Sequence, residues 1–152
     1  MTRQVAAPVE HINLSATNRT ARDLVHFVQD GHIDMNPPYQ RGQVWSGDQR
    51  IALVFSWLRG LPTGVIILSD RANPHWSAAS GDVYREGLAV WAVIDGKQRL
   101  STAIAWFEGE FAVPASYFEP ELVARTETTS DGPYVRFNGL TGQGQREMVS
   151  RA

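Results

Sequence analysis

The residues best suited to chemistry form one short cluster, Asp95-Gly96-Lys97-Gln98-Arg99, within the segment "WAVIDGKQRLSTAIAWFEG". An apolar run ends at this cluster, and an apolar pattern with helical spacing begins directly after it. A glycine at such a turn lets the backbone approach a ligand without a Cβ in the way. The amino end of a helix presents free N–H groups and the positive end of the helix dipole, which together favour anions. The cluster therefore has the ingredients of a phosphate site.

Each charged side chain of this cluster suits a different role at a phosphate. Arg99 can bind two phosphate oxygens at once, whereas Lys97 offers a single mobile charge. The Asp95 carboxylate can hold a divalent cation or orient a water. The alternative is purely structural: Asp95 caps the helix, Gly96 makes the turn, and both cations point into solvent. Because such short strings are common, spacing alone favours the structural interpretation.

A second segment, "NPPYQRGQVW", leaves the same choice open. Its two prolines present Tyr39, Gln40 and Arg41, and Trp45 stands just before a helix cap. Aromatic side chains beside an arginine suit stacking on a base or gripping a phosphate. The structural alternative places Tyr39 and Trp45 in the core and pairs Arg41 with an acidic neighbour such as Asp95.

The elements that must position these segments follow from capping signals and apolar periodicity. Thr20 with Asp23, and Ser46 with Gln49, have the spacing of N-terminal capping boxes. Glycines at the far ends of both apolar patterns are natural helix stops. The predicted elements are helices over 21–30, 46–60 and 98–108, and strands over 65–69 and 88–94.

The remaining segments are predicted to be less regular. The fold class is α+β, a single compact domain over 19–152 with a small mixed sheet and three main helices. The further predictions are an irregular lead-in over 1–18, a long loop or loose hairpin over 70–87, short strands in "FAVPASYF" and "PYVRF", a loop over 126–132, and a tail, "TGQGQREMVSRA", that is weakly helical at best.

Composition excludes several classes of function. The chain has 152 residues and a formal net charge of −2, without the basic balance that tight non-specific duplex binding usually needs. It has no cysteine, which excludes disulfides, thiolate zinc sites and cysteine nucleophiles. Its four histidines, at positions 11, 26, 32 and 75, lack metal-ligand spacing. With neither a signal peptide nor a membrane-spanning apolar run, we expect a cytoplasmic protein and no membrane partner.

Taken together, the two segments resemble a known family. "PPYQRGQVW", "LRGLPTGVIIL" and "VIDGKQRLSTAIAWFEG" follow one another here as similar motifs do in the N-terminal domain of GmrSD-type modification-dependent restriction enzymes. That family belongs to the ParB/sulfiredoxin-like superfamily, and the similarity covers residues 21–118. This chain departs from the family pattern at Lys97, where Gln is commoner, and at Ser101, where Thr is commoner.

The resemblance implies that the turn is a nucleotide-phosphate site. Asp95, Arg99 and Arg41 would be catalytic, and Asp95 would also be the ligand of Mg²⁺ or another divalent cation bound with a nucleoside triphosphate. The implied activity is hydrolysis of that nucleotide, linked to DNA restriction or to the conflict between phage and host. The remaining residues implied in nucleotide or phosphate binding are Gly96, Lys97, Gln98, Ser101, Tyr39 and Gln40.

Two other functions stay open from the sequence. The first is nicking of DNA at the same turn, alone or with a separate nuclease. The second is a non-catalytic module that binds a nucleotide or another protein and acts as a switch or inhibitor. The second gains support because Asp95 is the one carboxylate that the resemblance assigns to the site. Five further acids are candidates that the sequence does not rank: Asp34, Asp48, Asp70, Glu108 and Glu110.

Overall fold

The computed structural model describes residues 14–37, 44–74, 85 and 87–152, and these residues form four α-helices and two three-stranded sheets. The α+β prediction is therefore confirmed. Short 3₁₀ turns follow β4 and β6. In chain order the elements are α1 (Ala21–Gln29), β1 (Ile33–Asp34), α2 (Gly47–Arg59), β2 (Ile67–Asp70), β3 (Trp91–Asp95), α3 (Lys97–Phe107), β4 (Ala112–Pro114), β5 (Glu127–Thr129), β6 (Gly132–Arg136) and α4 (Gly142–Arg151).

Two capping boxes fix the starts of α1 and α2, as the sequence predicts. The Thr20 side-chain oxygen accepts a hydrogen bond from the Asp23 N–H at 3.1 Å, and the Asp23 carboxylate accepts one from the Thr20 N–H at 3.2 Å. Ser46 and Gln49 form the same reciprocal pair at α2. Each box satisfies N–H groups that a helix leaves unpaired at its amino end.

The first sheet is mixed, with strand order β1-β3-β2. β1 runs parallel to β3 with Asp34 opposite Ala92, and β2 runs antiparallel to β3 with Ile67 opposite Asp95. Parallel strands end at the same edge of a sheet, and an antiparallel neighbour begins there. This edge therefore brings together the residues after β1, the end of β3 and the segment that leads into β2.

The second sheet is antiparallel, with strand order β4-β6-β5, and the sequence predicted only part of it. The prediction of a loop over 126–132 is wrong for Glu127–Thr129, which forms β5 and pairs with β6. These residues are mostly exposed and carry no apolar face. Backbone pairing across the hairpin makes them a strand, and apolar alternation cannot report such pairing.

The tail is a full helix, α4, so the prediction of weak helicity is wrong. Its two glycines lower local helix propensity, but Met148 is buried in the core and the Thr141 side chain caps the first turn. The Ala152 carbonyl also accepts a hydrogen bond from the Ala21 N–H at 3.1 Å. Tertiary packing therefore stabilises a helix that local propensity disfavours.

Other boundaries of helices and strands differ by one to three residues from those predicted from the sequence. The strand predicted over 88–94 begins only at Trp91, because both of its neighbours pair with it from that residue onward. β2 likewise begins at Ile67, and "FAVPASYF" divides into β4 and a 3₁₀ turn over Ala115–Tyr117. Residues 14–18 have no regular structure, whereas 1–13, 75–84 and 86 lie outside the described residues.

Most of the core lies between the helices and the second sheet. Its fully buried side chains include Val25 from α1, Val54 from α2, Trp106 from α3 and Val135 from β6. A smaller cluster of Ile33, Val93 and Leu100 packs α3 against the first sheet. α3 thus belongs to both clusters, so its amino end is held firmly at the edge of the first sheet.

No helix among the described residues combines the length and the apolar character needed to cross a membrane.

Candidate functional site

The amino end of α3 differs from the other helix starts in the described chain. Thr20, Ser46 and Thr141 cap α1, α2 and α4 with their side chains. At α3 the capping position is Gly96, which follows Asp95 at the end of β3 and offers no side-chain hydrogen bond. The N–H groups of the first turn thus have no capping side chain that offsets their partial positive charge.

Gly96 is the residue that this turn requires. Its φ of +94° lies in the left-handed region, where side chains other than glycine are strained. A Cβ added there would collide with the Ile66 side chain and crowd the Arg99 guanidinium, 3.2 Å away. The turn is therefore both bent and tightly covered by the segment that enters β2.

Lys97 points its ammonium across the sheet edge toward the end of β1. Its Nζ donates a hydrogen bond to Asn36 Oδ1 at 2.7 Å. An ammonium has three N–H donors, so this contact fixes the position of the charge and leaves donors for a ligand. Lys97 is also the only lysine in the whole sequence.

Arg99 is held by the protein on more than one side. Its Nη1 donates to the Thr63 carbonyl at 2.7 Å, and its Nη2 lies 3.4 Å from Asp95 Oδ2. Only 18% of its side chain is exposed, and the Gly64 backbone lies against the guanidinium where a Cβ would collide with it. One of the two terminal nitrogens of Arg99, which the sequence predicts to bind phosphate, is thus already bonded to the turn before β2.

Gln98 binds Trp45, which lies just after the undescribed residues 38–43, to the same turn. Its Oε1 accepts a hydrogen bond from the Trp45 backbone N–H at 3.1 Å. With the Asn36–Lys97 contact, residues on both sides of 38–43 are held at the first turn of α3. The predicted site residues Tyr39, Gln40 and Arg41 lie outside the described residues.

A partly buried ion pair between Arg71 and Asp34 lies next to the Asn36–Lys97 contact. Arg71, whose side chain is 3% exposed, lies 2.7 Å from Asp34 Oδ2 and also donates to the Ala89 carbonyl. Asp34 Oδ1 accepts a hydrogen bond from the Asn36 N–H at 2.8 Å. A continuous chain of contacts therefore runs from Arg71 through Asp34 and Asn36 to Lys97.

The pKa of Asp34 reflects this arrangement. Burial by itself would raise the pKa of the carboxyl, because it disfavours the charged form. The hydrogen bonds from Arg71 and Asn36, with the positive charges of Arg71 and Lys97, outweigh burial and hold the pKa below its ordinary value of 3.8. Asp34 is therefore an anion at neutral pH, and its carboxylate accepts the hydrogen bond from the Asn36 N–H.

The other predicted residues divide between the site and the rest of the fold. Ser101 lies half-buried in the second turn of α3, whereas Thr102 is buried and faces the core. Of the five candidate acids, Asp34 is the one whose contacts join it to the turn. Glu108 lies at the far end of α3, where it accepts a hydrogen bond from Gln29 at 3.1 Å. Asp48, Asp70 and Glu110 are exposed and make no described contact with the turn.

Asp95 is the carboxylate that faces solvent at the turn, with 65% of its side chain exposed. Within the described residues, no three His, Asp or Glu side chains are grouped as a metal site. A Mg²⁺ ion is commonly held by one or two carboxylates together with substrate phosphates, and this arrangement fits a lone Asp95.

Exposed aliphatic side chains occur on the segments that contact the turn. Val44 precedes Trp45 and is 82% exposed, whereas Leu61 and Val65 flank Thr63 and are 48% and 71% exposed. Isolated exposed apolar residues are ordinary on protein surfaces, but these three lie on two segments that meet at one turn. Apolar surface is therefore available beside the charged groups.

Sequence reasoning missed the partners of the cluster. Asn36, Thr63 and Arg71 lie far from the cluster in the chain and reach it only through the pairing of the first sheet. One signal was present: the Pro-Thr-Gly turn, whose glycine permits the close approach of Arg99.

Fold and site together define a small α+β domain with a glycine turn leading into an uncapped helix. Residues 22–145 match the family described as "GmrSD restriction endonuclease, N-terminal domain". The match spans most of the chain, so the protein belongs to this family, as the resemblance predicted. Comparisons with curated proteins and with solved structures gave no match. The family sets the protein in the context of DNA restriction.

Proposed function

We propose that this domain binds a nucleoside triphosphate at the amino end of α3 and hydrolyses it in the presence of Mg²⁺. The observation that carries the proposal is the uncapped helix start, with the only lysine of the chain fixed beside it. N–H groups, helix dipole and ammonium all favour negative charge at one place. Phosphate is the anion that best matches several donors in a small volume.

The nucleoside part of the ligand has support from the surrounding segments. Val44, Leu61 and Val65 offer apolar surface to a sugar or base beside the phosphate position. The proline segment would contribute Tyr39 and Gln40 as supports for the nucleotide. Such contacts would distinguish a nucleotide from inorganic phosphate, which has no apolar part.

For hydrolysis, the residues divide into binding and reacting groups. Lys97 and the first-turn N–H groups of Gly96 to Arg99 would hold the phosphates, and Asp95 would orient the attacking water or the cation. Arg99 would keep Asp95 in position, while Arg41 would stabilise charge as it develops on the transferred phosphoryl group. Ser101 would contribute a hydroxyl from the second turn. Bound Mg²⁺ would neutralise phosphate charge.

A second candidate is DNA nicking at the same turn, which the endonuclease family favours. A backbone phosphate carries the same oxygen acceptors as a nucleotide, and a separate nuclease or host protein would then be a partner. The net charge of −2 argues against tight non-specific binding of a duplex. We therefore rank nicking below nucleotide hydrolysis.

Calorimetry with ATP, GTP and CTP plus Mg²⁺, combined with phosphate release from the same samples, tests the proposal. Lys97→Gln should weaken binding, and Asp95→Asn should reduce turnover more than binding. Arg146→Gln, on the exposed face of α4, is the control because it removes the same charge away from the turn. Arg99→Ala is a poor first variant because it also breaks the contact with Thr63.

Each outcome assigns the function. Binding with turnover, both impaired in the two site variants, supports nucleotide hydrolysis. Binding without turnover contradicts hydrolysis by this domain alone and favours a non-catalytic switch. No binding to any nucleotide overturns the proposal, and metal-dependent plasmid nicking lost in the same variants would then assign the turn to DNA.

A further inference from the structure

An open groove of about 390 Å³ lies between α2 and the second sheet, lined by none of the residues assigned to the α3 turn. Its walls include Phe55 from α2, Tyr117 from the 3₁₀ turn after β4, and Tyr134 from β6. Asp48 and Asp131 contribute carboxylates to the same lining. Aromatic faces and carboxylates thus share one concave surface.

Two aromatic rings of the groove, those of Phe55 and Tyr117, pack against each other. The rings of Phe55 and Tyr117 lie with their centres 5.1 Å apart, tilted by 59°. The Tyr134 hydroxyl donates a hydrogen bond to Asp131 Oδ2 at 2.8 Å. This bond leaves the other oxygen of the carboxylate for a further donor.

The electrostatics of the groove favour a cation. Its described lining contains two aspartates and no lysine or arginine. The hydrogen bond to Asp131, together with burial and the negative charges of Asp131 and Asp48, raises the pKa of Tyr134. Aromatic faces are also negative, so rings and carboxylates attract the same kind of ligand.

We propose that the groove between Asp48, Phe55, Tyr117, Asp131 and Tyr134 binds an arginine side chain of a partner protein. A guanidinium is planar, stacks on aromatic rings and donates paired hydrogen bonds to a carboxylate, which a lysine ammonium does not. The chain itself shows the stacking preference, since the Arg59 guanidinium lies 5.6 Å from the centre of the Phe55 ring. This inference is independent of the proposed nucleotide site.

The test uses a blocked hexapeptide of alternating glycine and arginine, titrated into the ¹⁵N-labelled protein at low salt. The control peptide carries citrulline, which keeps the shape of arginine without its charge. We expect saturable shifts at Tyr117, Asp131 and Tyr134 with the arginine peptide and none with citrulline. A lysine peptide should bind more weakly, because it lacks the planar fork.

Substitutions at the residues of the groove test whether the arginine peptide binds there. The double variant Asp48→Asn and Asp131→Asn keeps the shape of the groove and should lower the affinity for the arginine peptide roughly tenfold. Tyr117→Leu should weaken it as well, whereas Glu121→Gln, an exposed acid outside the lining, should leave it unchanged. The spectrum of each free variant shows that it is folded.

Three results would overturn the proposal: equal binding of the citrulline or lysine peptide, binding unaffected by the double variant, or arginine-dependent shifts confined to other surfaces. Because no nucleotide is present, failure here leaves the proposed function untouched, and failure of nucleotide binding leaves this groove untouched.

Discussion

Lys97 and Arg99 stand two residues apart and have different environments. The Lys97 ammonium contacts the exposed Asn36 side chain, whereas the Arg99 guanidinium is mostly buried between Thr63 and Asp95. From their types alone, both residues suit a phosphate. The structure gives Lys97 the freer charge and gives Arg99 a large part in holding the turn together.

We expect this difference to appear in stability. Arg99→Ala should lower the free energy of unfolding by about 2 kcal/mol, because it removes a charged hydrogen-bond donor from the partly buried Thr63 carbonyl. Lys97 is half-buried, but its described hydrogen bond joins it only to the exposed Asn36 side chain, so Lys97→Ala should change the free energy of unfolding by no more than about 0.5 kcal/mol. Urea unfolding followed by tryptophan fluorescence measures both values. Equal losses would contradict the separate roles.

Gly96 offers a second test at the residue scale. Gly31 has a similar φ, +79° against +94°, but a Cβ there would meet open space, whereas at Gly96 it would meet Ile66 and Arg99. Gly31→Ala should therefore cost about 1 kcal/mol for backbone strain alone. Gly96→Ala should cost at least ~1 kcal/mol more from overpacking.

Thermal or urea unfolding of the two glycine variants gives the comparison directly. A Gly96→Ala variant as stable as the Gly31→Ala control would show that Ile66 does not press on the turn.

The elements of the fold were predictable to different degrees. The capping boxes at Thr20 and Ser46 predicted α1 and α2, because a helix start is a local event with a fixed spacing. α4 and β5 were missed, because core packing at Met148 and backbone pairing with β6 decide them. Local sequence carries little information about either interaction.

The candidate site was likewise predictable only in part. The glycine turn and its cations follow from the string Asp-Gly-Lys-Gln-Arg, whose residues are neighbours in the chain. The chain of contacts from Arg71 through Asp34 and Asn36 depends on β1 lying beside β3. Without that strand order, no feature of the sequence links Arg71 to Lys97.

The Asp34–Arg71 pair makes a prediction at the element scale. Asp34→Asn should cost about 2 kcal/mol at neutral pH, since it removes the negative charge that the buried Arg71 guanidinium contacts at 2.7 Å. Glu127→Gln, which breaks the more exposed pair with Arg136, should cost no more than about 1 kcal/mol.

The pH dependence of the Asp34 effect has a definite sign. The pKa of Asp34 in the folded protein lies below its ordinary value of 3.8, so the pair stabilises the fold fully above that value. The advantage of the wild type over Asp34→Asn should shrink as pH falls below 3.8. Urea midpoints at several pH values measure it, and a difference that grows toward acid would contradict the pairing.

Taken as a whole molecule, the protein is mildly acidic but has a locally positive place at the amino end of α3. The net charge of −2 describes the sum, whereas a ligand experiences the local field. The acidic groove beside α2 adds a second local field of opposite sign. The two proposals therefore assign an anion and a cation to separate surfaces of the domain.

The sequence itself provides the most direct test, because Lys97 is its only lysine. An amine-specific acetylating reagent should modify Lys97 and the chain's α-amino group, which serves as the internal control. Mass spectrometry then follows both rates with and without saturating ATP and Mg²⁺. We predict that the nucleotide slows modification of Lys97 and leaves the α-amino rate unchanged. Equal Lys97 rates with and without the nucleotide would contradict a phosphate site at the amino end of α3.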